Sequence, residues 1–73
     1  MKKIDNENLL YEMSRHEVSP HRIAVLLGIE DHVVVSRISG DTEWIYKDAV
    51  LVRDTFFPEC SLDYLFFSEK NKR

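Results

Sequence analysis

Apolar positions along the chain recur mostly at spacings of three and four, the period of an amphipathic helix. Leu9, Leu10 and Met13 predict a first helix running to about His16, with Asp5 or Asn6 as its cap. Glu17-Val18 reads as a link. Ser19-Pro20 is a start signal for a second helix. Serine accepts from a free backbone N–H, and proline at the first helical position loses no hydrogen bond. Ile23, Leu26 and Leu27 form the buried stripe, and Ala24 lets a neighbouring helix approach closely. Gly28 ends the helix as a residue tolerant of positive φ. Ile29 plugs the turn, and Asp31 is read as the cap of a third helix with Val34 and Ile38 four apart on one face. Val33-Val34-Val35 is β-branched and poor in helix propensity, but three residues framed by helix signals do not make a strand. After the Ser39-Gly40-Asp41 turn, a fourth helix is expected from about Ile45 to Phe56, with Tyr46, Ala49, Val50 and Arg53 marking one face. Pro58 stops it. Ser61 caps a short fifth helix carrying Leu62, Leu65 and Phe66, and a polar tail covers 69–73. Brief connections between short helices predict one all-α domain, a compact five-helix bundle.

The 73 residues allow a single small core, with a stability of about 3–5 kcal/mol. Two glycines and two prolines are too few for an all-β chain. The lone cysteine, Cys60, leaves no internal disulfide framework and fits a reducing cytosol. Lys2 and Lys3 are followed by polar residues, and the apolar runs are far shorter than a membrane span, so a cytoplasmic protein is expected. The net charge of −3 conceals an uneven layout. Lys2, Lys3, Lys70, Lys72 and Arg73 sit at the ends, while residues 4–69 hold five bases against thirteen acids, a net of −8. Such a body opposes the phosphate neutralisation on which non-specific DNA affinity rests, although basic tails can reach phosphates.

The segment from Ser19 to Leu65 resembles the small helix-turn-helix domains of phage repressors and Cro proteins. The matching residues are Ile23-Ala24, Leu27-Gly28-Ile29, Val34, Ile38, Gly40 and the run Ser61-Leu62-Asp63-Tyr64-Leu65. Arg53-Asp54-Thr55-Phe56-Phe57-Pro58 is similar to small phage regulators of the same group. More narrowly, the length and acidic body resemble the modulator-of-repression antirepressors of temperate phages. The resemblance implies a helix-turn-helix over about 19–40 and a role in transcription regulation within a genetic switch. For the narrower family, the implied activity is binding a repressor and disabling it.

The chain departs from the DNA-reading pattern where such proteins touch DNA. The second helix opens on Ser19-Pro20, without the glutamine that grips a phosphate, and the third opens on Glu30-Asp31-His32 in place of base-reading side chains. Four acids and one base, Arg37, lie between Gly28 and Glu43, and Val33 and Val35 stand where polar groups are expected. Acids and valines suit a basic protein face with an apolar patch. The preferred expectation is therefore an antirepressor whose partner is the DNA-binding domain of a phage repressor. Its contacts would be Glu30, Asp31, Val33, Arg37, Asp41 and Trp44. The alternative is a Cro-like DNA-binding repressor, dimeric, that grips DNA through Arg22, His32, Ser36, Arg37 and the tails. A structural or toxin-neutralising module is a third class.

No Ser-His-Asp motif, phosphate loop or paired-carboxylate pocket is present, so no enzyme, small-molecule substrate or cofactor is expected. His16 and His21 are five apart across a helix boundary, which is not a zinc spacing, and no metal is expected. Cys60 reads as a bystander. Trp44, Tyr46, Phe56, Phe57, Tyr64, Phe66 and Phe67 are too many rings for all to be fully buried. Trp44 and Phe67 are the first candidates for exposure, where they would either form a patch that marks an interface or only partly cover the core.

Overall fold

The computed structural model describes residues 6–67. They form helices α1 (Glu7–His16), α2 (Pro20–Leu27), α3 (Asp31–Ser39), α4 (Tyr46–Phe56) and α5 (Leu62–Phe66), an all-α bundle of about 34 × 25 × 21 Å. The expected termini of the chain, Asp5 as a cap and the polar tail at 69–73, lie outside the described residues.

The helix ends follow local chemistry. Ser19 Oγ accepts from the Arg22 N–H at 3.3 Å, with Pro20 in the first turn, and Ser61 Oγ accepts from the Tyr64 N–H at 3.1 Å. Gly28 takes φ 71°, and a Cβ built there would meet nothing within 4 Å, so conformation and not space calls for glycine. Glu17 closes α1 in the same left-handed region at φ 57°, where a non-glycine residue carries strain. Two caps differ from expectation. Glu30 is the N-cap of α3, and Asp31, its first helical residue, turns its carboxylate toward His21. Asn6 is the N-cap residue of α1, but its side chain makes no bond to that helix.

Leu9 and Met13 of α1, Val18, Ile23 and Ala24 of α2, Val34 of α3, Ala49 and Val52 of α4, Phe57, and Leu65 and Phe66 of α5 form the buried core. α2 packs on both α3 and α4, and α5 packs on both α1 and α4. The valine triplet is helical because Val34, fully buried, contributes more to the core than β-branching costs. α4 is rotated from the expected face. It buries Ala49 and Val52 and leaves Tyr46 67% exposed, because two helices hold it, α2 and α5. Among the rings, Phe67 is exposed as expected. Trp44 is half-buried, its edge against Phe66 at 4.8 Å between ring centroids, so it partly covers the core and is not an exposed ring.

Candidate functional site

Gly28-Ile29-Glu30 is a three-residue connection that turns the chain from α2 into α3. Ile29 packs against the core and anchors the turn. Val34 and Ile38 then point α3 inward, and Asp31, His32, Val35 and Ser39 are left exposed. Together with Glu30 they make an outer face that is acidic and apolar at once.

The polar groups of this face bond loosely and locally. Asp31 Oδ1 lies 2.9 Å from His21 Nδ1, and Glu30 Oε1 lies 3.9 Å from His32 Nε2. All four side chains are more than half exposed, so each pair contributes about 0–1 kcal/mol. Val35 is 51% exposed, and Val25, on the outer side of α2, is 67% exposed. Val33 is half-buried. Val34 and Ile38 fix the inward direction, and Val33 and Val35 diverge from Val34 by about 100° to either side. Helical geometry alone does not choose between them. The neighbouring helices cover one and leave the other.

The remaining expected contacts are distributed unevenly. Asp41 and Glu43 are exposed beyond the end of α3, next to half-buried Trp44. Ser36 is half-buried, and its carbonyl accepts from Asp41 N at 3.0 Å, Thr42 N at 3.3 Å and Ser39 Oγ at 3.0 Å. Arg22 is exposed on α2, but its guanidinium sits 5.2 Å from the centre of the Phe56 ring and donates to the Glu17 carbonyl at 3.3 Å. Arg37 was expected to reach outward to a partner or to DNA. The structure corrects that placement: Arg37 is 8% exposed, donates to Asp48 Oδ2 at 3.0 Å, and lies 5.6 Å from the centre of the Trp44 ring. The single Lys or Arg of α3 is therefore occupied inside the bundle.

Two polar clusters escaped the sequence reading. In the first, the Asn6 side-chain amide donates to the carbonyls of Arg37 and Ile38, each at 3.0 Å, beside the Arg37–Asp48 pair. In the second, Glu12 is 4% exposed and receives the Tyr64 hydroxyl at 2.9 Å and Arg15 Nη1 at 3.3 Å. His16 Nε2 lies 3.4 Å from Glu12 and 3.2 Å from Glu59. The hydrogen bond to Glu12 is the main cause that raises the Tyr64 pKa above the usual phenol range. Burial, then the charges of Glu12 and Glu59, push the Cys60 thiol up and hold it protonated. No periodicity announces these residues. The one sequence signal was Glu12 itself, a carboxylate beside Met13 on the apolar side of α1.

Among the described residues, no three His, Cys, Asp or Glu side chains are grouped so as to hold a metal ion, and no helix is long and apolar enough to cross a membrane. No protein-family model, curated protein or solved structure matches this chain.

Proposed function

We propose that this chain is a phage-type regulator, an antirepressor that docks the outer face of α3 on the basic, DNA-reading face of a repressor. In this reading, α2 and α3 are a helix-turn-helix of the repressor and Cro type, turned from reading DNA to covering a reader of DNA. The observation that carries the reading is the division of α3. Its outward positions are Asp31, His32, Val35 and Ser39, with Glu30 at its N-cap, and its arginine is buried. Facing phosphates, two carboxylates repel. Facing a lysine- and arginine-rich surface, they steer the encounter, and an exposed valine supplies the desolvated centre. Val35, exposed where Val33 is half-buried, stands at the centre of the contact. Asp41 lies at the rim, Trp44 backs it, and Arg37 supports the helix from inside.

The test is a titration of an operator duplex with a phage repressor's DNA-binding domain, with and without this chain. The chain should displace the duplex, and its association with the repressor domain, measured without DNA, should slow as salt rises. Alone, it should bind duplex no tighter than about 10⁻⁶–10⁻⁴ M at physiological salt. Val35→Asp should abolish displacement, and Glu30→Lys with Asp31→Lys should weaken it, each variant first shown to keep its helicity. Nanomolar, sequence-specific duplex binding by the chain alone would replace this reading with the Cro-like one. Equal displacement by both variants would move the interface off α3.

A further inference from the structure

We infer that Asn6, Arg37 and Asp48 act together as a latch that sets the angle at which α3 presents its outer face; they are positioning residues and not contact residues. The last carbonyls of a helix have no partner within it. In α3, the carbonyls of Arg37 and Ile38 both accept from the amide of Asn6 at 3.0 Å, and that of Arg37 also accepts from the Gly40 N–H at 3.2 Å. Asn6 sits where a residue of its type usually caps its own helix, and it spends its donors on a different one. The same turn of α3 sends the Arg37 guanidinium to Asp48 on α4 at 3.0 Å, with side chains only 10% and 20% exposed. Trp44 lies beside that guanidinium and reaches Phe66 of α5. The C-terminal turn of α3 is thus tied to α1 and α4 directly, and to α5 through a ring.

The choice of bond type matters. Apolar contacts tolerate sliding and rotation of a helix. A charge-assisted hydrogen bond requires both distance and direction. A buried ion pair adds little net stability over apolar residues of the same volume, so its presence here points to geometry. Three directional bonds on one turn fix the tilt of α3, and hence where Glu30, Asp31 and Val35 stand. The consequence for a partner rests on the function proposed above, whereas the latch itself concerns the free chain.

The experiment measures residual dipolar couplings of backbone amides on the full chain, for wild type, for D48N, and for R37M combined with D48L. D48N keeps an acceptor for Arg37 without the charge, and its α3 couplings should fit the wild-type structure. The apolar pair should stay folded with a melting temperature near that of wild type. Its α1, α4 and α5 couplings should fit, and its α3 couplings should not. Wild-type α3 couplings in the apolar pair would overturn the latch, because packing and the Asn6 bonds, which that variant keeps, would then set the angle without the ion pair. Unfolding of the apolar pair would overturn it too, because the ion pair would be holding up the fold instead of orienting one helix. No partner enters the measurement, so failure of the latch and failure of the antirepressor reading are separate results.

Discussion

At its N-terminal end, α3 stands in solvent: Glu30, Asp31 and His32 are exposed and pair loosely with their neighbours. At its C-terminal end, Arg37 is buried, paired with Asp48, and its carbonyl is taken by Asn6. Fewer than two turns, at about 3.6 residues each, separate charged groups with opposite surroundings. One end is fixed by three bonds to other helices, and the other is free to meet something else. A charged side chain on a helix therefore acquires its role from the helices around it. Arg37 looks as available in sequence as Asp31, and only packing separates them.

The sharpest way to break this comparison uses two adjacent valines. Val34 is fully buried and Val35 is half exposed. Val34→Asp puts an unpaired carboxylate in the core, and its cost should exceed the whole stability of about 3–5 kcal/mol. Circular dichroism should show the loss of the helices. Val35→Asp should change stability by no more than about 0.5 kcal/mol. Unfolding of both would mean that α3 has no free face.

Next in size is the contrast between the two ends. Arg37→Met leaves Asp48, 20% exposed, without its partner and should cost about 2–3 kcal/mol, less than the ~3–5 kcal/mol of a fully buried pair because Asp48 retains some solvent. Glu30→Lys with Asp31→Lys should cost less than about 1 kcal/mol, through the helix dipole and the loose His21 contact. Urea midpoints rank the two. An equal cost would erase the difference between the ends.

The Glu12 cluster provides a third test, of whether a buried polar knot away from α3 also holds structure. Tyr64→Phe removes one donor from a carboxylate that is 4% exposed and should cost about 1–2 kcal/mol. The pH dependence has a definite sign. Because the native Tyr64 pKa is raised, the native state holds the phenolic proton more tightly than the unfolded chain does. That contribution is complete below about pH 10 and is lost as pH rises through the raised native value. The difference in stability between wild type and Tyr64→Phe should therefore shrink on the alkaline side, and a constant difference would contradict the assignment. The smallest effect concerns Cys60. Native protein should react with iodoacetamide several-fold more slowly than the urea-unfolded chain, because burial and two nearby carboxylates disfavour the thiolate. Equal rates would mean that the cluster leaves the thiol untouched.

Helix starts and stops were legible because their causes lie within a few residues. Ser19-Pro20, Gly28, Gly40 and Ser61 act through backbone geometry and short hydrogen bonds that any reader of the chain can anticipate. The inward face of α3 was legible as well, since Val34 and Ile38 declare it. The same local chemistry does not say which charges are structural. Asn6 meets Ile38 across 32 positions, Tyr64 meets Glu12 across 52, and Arg37 meets Asp48 on another helix. Nor does it choose between Val33 and Val35, which diverge to either side of Val34, or fix the rotation of α4, which two neighbours share. Local rules act through the chain and repeat along it. Burial depends on what folds back from elsewhere, and only the assembled bundle decides which acids and valines are left facing solvent.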